Sequence, residues 1–145
     1  MADYVLSTAN FPICTTISTS AFENCYELAS ISFPECLEIS DYAFLHCSSL
    51  TNISFSKCTT IGAMAFASCA GLTSISFPNC ASIGRRAFYS CSNLSIIDLP
   101  KCTYIESEAF RGCITNTLSL PVFNTISQLD LISCSIFTST EALNI

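Results

Sequence analysis

The chain has 145 residues, half of them hydrophobic and only 11% charged. That is too apolar for disorder and too poor in charge for an ordinary globular surface, so Ser, Thr and Asn must cover the outside. A net charge of −6 with five basic residues leaves no basic face for nucleic acid, and no apolar run reaches the roughly 18 residues of a membrane span.

The length suits a single domain, 1–145, with a real core. The opening "MADYVLSTANF" has neither a basic n-region nor an apolar h-region, so no signal peptide is expected. Either the protein is not exported by that route or the chain is an excised piece; the compartment stays unknown. Residues 4–10 read as a half coil. Tyr4, Val5 and Leu6 open it, and Leu6 and Ala9 take the Leu and Ile places of the unit that follows.

From Phe11 the chain repeats every 22 residues as F-P-x-C-x-x-I-x-x-x-A-F-x-x-C-x-x-L-x-x-I-S. Units begin at Phe11, Phe33, Phe55, Phe77 and Leu99, and the regular coils span 11–119. The next unit begins one residue early, at Leu120, so a residue is missing around Asn116. This period makes each unit one coil of a solenoid, with equivalent residues stacked in ladders. Phe22, Phe44, Phe66 and Phe88 form one expected ladder, and Ile31, Ile53, Ile75 and Ile97 another.

Ten of the 11 cysteines fall on an 11-residue beat from Cys14 to Cys113. Half a coil separates them, so they form two ladders. One runs from Cys14 to Cys102; the other runs from Cys25 to Cys113 and is continued by Cys134. In-register neighbours would have Cβ atoms about 4.8 Å apart, beyond the ~3.5–4.5 Å a disulfide prefers. The odd count and the missing export signal also favour buried free thiols over a disulfide framework.

Within a unit, Leu28-x-x-Ile31-x-Phe33 alternates as a strand, and Pro34 ends it. In "SDYAFLHC", Ser40 stands as an N-cap, with Ala43, Phe44 and Cys47 at helical spacing. One or two turns of α or 3₁₀ helix are expected there. The sixth unit, 120–145, is degenerate: Phe123 replaces Cys, and Asp130-Leu131 replaces Ala-Phe.

The pattern Leu-x-x-Ile-x-Phe-x-x-Cys-x-x-Ile, and above all the Ala-Phe-x-x-Cys segment, resembles the BspA-like class of leucine-rich repeats over residues 6–137. The resemblance implies an α/β solenoid, curved, with one parallel sheet on the concave side and short α or 3₁₀ turns on the convex side. Relatives are mostly surface or secreted proteins that bind host proteins or other cells.

The outward strand positions Ser32, Asn52, Ser54, Ser74, Ser76 and Asp98 make a lateral face of small polar groups. It is either plain solvated surface, a binding face for a flat polymer or protein, or a hydroxyl array for a crystal lattice. It lacks an aromatic platform and an Arg anchor. Glu35 and Lys57 share one repeat position in consecutive coils, as do Arg86 and Glu108, and they read as aids to register. Residues 1–41 hold six acids and no base, whereas 57–111 hold five bases and three acids. The solenoid is therefore electrically polar along its axis, which suits head-to-tail contacts.

No catalytic constellation emerges. His46, the single histidine, abuts Cys47, but that cysteine fills a repeat position and neighbours in a turn point apart. C-x-x-C pairs, a phosphate loop and a paired-acid cleft are lacking, so the chain reads as no enzyme, with no cofactor and no metal. The expected function is a leucine-rich-repeat module working by protein–protein contact, in binding or adhesion. The rival is a structural protomer stacking end to end into a filament. The candidate end interface is Tyr4, Val5 and Leu6 with Ile136, Phe137, Leu143 and Ile145, because terminal coils expose the edges of the apolar layer unless capped.

Overall fold

The computed structural model describes residues 5–114 and 117–119. Each coil contributes two short strands. The first series is β1 (Thr8–Asn10), β3 (Ser30–Ser32), β5 (Asn52–Ser54), β7 (Ser74–Ser76), β9 (Ile96–Asp98) and β11 (Thr117–Ser119). The second is β2 (Thr16–Ile17), β4 (Glu38–Ile39), β6 (Thr60–Ile61), β8 (Ser82–Ile83) and β10 (Tyr104–Ile105). All pairings are parallel between successive coils, so the molecule is a parallel β-solenoid. Pairing partners differ by 22 residues, as in Ile53 with Ile75, until Ile97 meets Leu118 at 21. The missing residue near Asn116 is thus absorbed before β11.

The first series is interrupted once: β3 lies beside β5 but is not paired with it. At the same level Phe33 and Phe55 are 6.2 Å apart, against 5.2 and 5.4 Å for the stacks on either side. Ile31, next to this seam, is half-buried, whereas Ile53, Ile75 and Ile97 are buried.

The core is a set of ladders. Phe22, Phe44, Phe66, Phe88 and Phe110 stack at 5.0 to 5.3 Å with rings within 8° of parallel. A second column, Phe11, Phe33, Phe55 and Phe77, meets it edge-on or tilted, as where Phe77 abuts Phe88 at 6.2 Å. Ile17, Ile39, Ile61, Ile83 and Ile105 form a third, buried column under the second sheet.

Two expectations need correction. The second sheet, β2 to β10, was not foreseen; one sheet was. And the stretch after Ile39 is not helical, so Ser40 caps nothing. Instead overlapping turns close there in each coil, three in the first, second and fourth and two in the third and fifth. In the first coil Ala21, Glu23 and Cys25 N–H donate to Ser18, Ser20 and Phe22 C=O at 3.1 to 3.2 Å. Left-handed residues recur at Ser20 (φ 56) and Asn24 (φ 62), and again at Tyr42, His46, Met64, Ser68, Arg86, Ser90, Glu108 and Gly112. Each is the third residue of a turn, the type II signature. The physical reason is thickness. Coils sit about 5 Å apart at the Phe column, and an α-helix is about 10 Å across, so helices cannot stack at that repeat. Only Gly112 adopts the left-handed conformation without a Cβ, and a Cβ there would lie 3.2 Å from the Ser90 backbone.

Phe66 is fully buried and stacked on both sides. Phe66→Ala should therefore lower the unfolding free energy by about 3–5 kcal/mol, measured by urea titration of the reduced protein. A loss within about 1 kcal/mol would contradict the ladder as the source of stability.

Candidate functional site

The lateral face is exposed at Ser32, Asn52 and Ser54 and half-buried at Ser74, Ser76 and Asp98. Its polar groups bind one another across coils. Asn52 Oδ1 accepts from Thr73 Oγ1 at 2.9 Å and from Ser74 Oγ at 2.7 Å, and Ser76 Oγ donates to Asp98 Oδ2 at 3.0 Å. These hydroxyls are committed to the solenoid, and a partner would have to compete for them. Beside the second sheet lie two shallow open grooves of about 320 and 350 Å³, between Asp41, Gly62, Gly84 and Glu106. Their acids serve the backbone: Asp41 Oδ1 accepts Ala63 N–H at 2.7 Å, and Glu106 Oε2 accepts Arg85 N–H at 3.0 Å.

The charge columns form as expected. Lys57 Nζ reaches Glu35 Oε2 at 2.6 Å, and Arg86 reaches Glu108 at 3.0 Å. Arg85 and Arg111 also lie within 4 Å of Glu108. The Arg86 guanidinium, helped by Arg111, holds the Glu108 carboxyl below its ordinary range.

Among the described residues, exposed large hydrophobic side chains are densest at the N-terminal end. Val5 is 58% exposed, Leu6 45%, Phe11 47% and Ile13 88%. Phe22, Cys14 and Cys25 are half-buried, although their counterparts in the next coils are buried. Val5, Leu6, Phe11 and Ile13 are thus all exposed near the start of the described chain, while Tyr4, Ile136, Phe137, Leu143 and Ile145 lie outside the described residues.

The thiols have a further structural task. Cys47, Cys69, Cys91 and Cys113 Sγ donate to Phe22, Phe44, Phe66 and Phe88 C=O of the preceding coil at 3.1 to 3.2 Å. Cys14, Cys36, Cys58, Cys80 and Cys102 donate to the carbonyl two residues ahead at 3.1 to 3.5 Å. All ten described cysteines are free. Burial pushes the Cys47 and Cys91 thiols up to about 12, and burial with the neighbouring thiols raises Cys69.

A model of the BspA type leucine rich repeat region matches in six copies over residues 6–144. The chain belongs to this family. The crystal structure of a leucine rich cell surface protein from Faecalibacterium prausnitzii A2-165 superimposes on it with a TM-score of 0.65. Identity is 23%, over 85% of this chain and 42% of that one, so the present chain spans less than half of that structure and the likeness concerns the fold. No curated protein matches it.

Within the BspA-type coil, His46 is exposed with φ 64 while Cys47 is buried. The thiol faces Phe22 C=O and the imidazole faces solvent, so the two cannot work as nucleophile and base. Among the described residues no group of three His, Cys, Asp or Glu side chains is placed to hold a metal ion.

Sequence reasoning missed Phe11 and Ile13. A signal for Ile13 was present: its column continues as Glu35, Lys57, Asn79 and Lys101, and an apolar residue heading a polar column marks an end. Phe11 begins its own ladder, so it has a neighbour on one side only. The thiol hydrogen bonds left no signal in the sequence.

The raised thiols make stability depend on alkaline pH. The ordinary thiol value is 9.0 and the folded values of Cys47 and Cys91 are about 12, so the unfolded chain loses these protons first. Stability is full below pH ~9 and should fall above it by about 1.4 kcal/mol per pH unit for each such thiol. Urea unfolding under reductant at stepped pH checks this, and Cys91→Ala should flatten the decline. Among the ten described cysteines, native alkylation should label Cys14 and Cys25 first; early labelling of Cys69 or Cys91 would refute the burial.

Proposed function

We propose that this chain is a non-catalytic module that works by protein–protein contact, in binding or adhesion, and that the contact is made at its N-terminal end. The observation that carries the reading is that Val5, Leu6, Phe11 and Ile13, all within the first nine described residues, are exposed. Exposed apolar surface marks interaction sites, and covering it is worth about 25 cal/mol for each Å². The lateral face is the weaker site, because Thr73, Ser74 and Ser76 are already bonded to Asn52 and Asp98, and a partner would have to displace those bonds. Family membership supports a repeat module, and the named relative is a cell-surface protein.

A photo-crosslinking amino acid placed at Ile13 and, separately, at Ser74 tests the reading in the cells that make the protein. Covalent protein adducts should form from position 13 and not from position 74. Adducts from position 74 alone would move the contact to the lateral face, and none from either would refute the proposal.

A further inference from the structure

Along the arc that contains residues 19–24 of each coil, the backbone hydrogen bonds between coils run in one direction, although just before it Ser40, Gly62, Gly84 and Glu106 N–H donate back to Ile17, Ile39, Ile61 and Ile83 C=O of the preceding coil. Ser20, Phe22 and Asn24 N–H donate to Asp41, Ala43 and Leu45 C=O of the next coil at 3.0, 2.7 and 2.8 Å. The same peptide groups pass the pattern on: Tyr42, Phe44 and His46 N–H donate to Ala63, Ala65 and Ala67 C=O at 2.9, 2.7 and 3.0 Å. It continues without exception to the bonds from Arg86, Phe88 and Ser90 to Ser107, Ala109 and Arg111. Each peptide accepts from the coil before it and donates to the coil after it.

The result is three head-to-tail columns of peptide dipoles along the solenoid axis. The same alignment gives an α-helix its macrodipole; strands add little, because their dipoles alternate. Here the carbonyls point toward the N-terminal end, so that end is the negative pole. There Thr19, Ala21 and Glu23 C=O accept no hydrogen bond from any described residue. β1 and β2 are each paired on one side only.

Side-chain charge has the same sign as the pole it sits near. Glu23, Glu27, Glu38 and Asp41 are exposed on the first two coils, with no base before Lys57. Arg85, Arg86 and Arg111 gather around Glu108 three coils further on. In a lone molecule, like charge on a dipole end is unfavourable. Between molecules aligned in the same direction it is attractive, because the positive half of one meets the negative end of the next.

We propose that the N-terminal end is the acceptor half of a head-to-tail contact between copies of this chain. A second copy sits on the first coil at the coil spacing, offers N–H groups to Thr19, Ala21 and Glu23 C=O, and covers Phe11 and Ile13. This deepens the protein-contact reading and rests on it. A second copy fits because the exposed end repeats the surface that each coil presents to its predecessor: two strand edges, a Phe column and three acceptors two residues apart. The axial polarity makes the contact heterologous, so it propagates instead of closing as a pair.

The test is light scattering of the reduced full chain over a range of concentration and salt. The mass should rise from 15.7 kDa past the dimer, and association should weaken about tenfold between roughly 0.05 and 1 M salt. Glu23→Lys with Glu27→Lys should weaken it by about tenfold at low salt. Leu6→Glu with Ile13→Glu should remain monomeric alone, with an unchanged circular dichroism spectrum. That double variant keeps its other end, so adding it to wild type should shorten the assemblies by capping them. A wild-type protein that stays monomeric would overturn the proposal, and so would a dimer that stops at two and ignores the double variant. Crosslinks from position 13 to other proteins, with none to a second copy, would overturn it as well while sustaining the wider protein-contact reading.

Discussion

Adjacent coils are held about 5 Å apart by parallel ladders of strands, and the rest of the molecule has to fit within that spacing. The spacing sets what can stack. A flat phenyl ring can, and the Phe22 column does so face to face. A thiol can, because it is small and donates a hydrogen bond where a methyl group could not. A helix cannot, and the chain instead runs through overlapping turns with two left-handed residues per coil. Non-glycine residues in that conformation cost about 1 kcal/mol each, and the solenoid tolerates them because every coil repeats the same cross-coil bonds.

The same repetition produces the directional arc. When identical peptides stack in register, their orientation is copied from coil to coil, and a local turn geometry becomes a dipole along the whole axis. The charge gradient acts on the same axis, from acids on the first two coils to the arginines around Glu108. The two flat sides of the solenoid are consequently bland, and distinctive chemistry concentrates where the repeat stops. The N-terminal coil, with Phe11, Ile13 and three carbonyls that accept from no described residue, therefore departs further from the repeat than the hydroxyl face does.

A periodic sequence is unusually legible, because each position is read several times over. The period, the two cysteine ladders, the Phe and Ile columns and the residue missing near Asn116 were all visible in the sequence before any coordinates. The ion pairs Glu35–Lys57 and Arg86–Glu108 were visible for the same reason: a 22-residue offset on a solenoid is a contact. What misled was local propensity. Ala43, Phe44 and Cys47 have helical spacing and Ser40 resembles a cap, yet the neighbouring coil, at about 5 Å, overrules both.

By itself the sequence determined the coil length, the residues that face inward, and the family to which the chain belongs, because a strict repeat leaves one way to stack equivalent side chains. Only the tertiary structure decided the conformation between the strands, the second sheet, the thiol-to-carbonyl bonds and the direction of the arc. Those depend on which way each peptide plane turns, and a peptide plane has no side chain through which the sequence could record it.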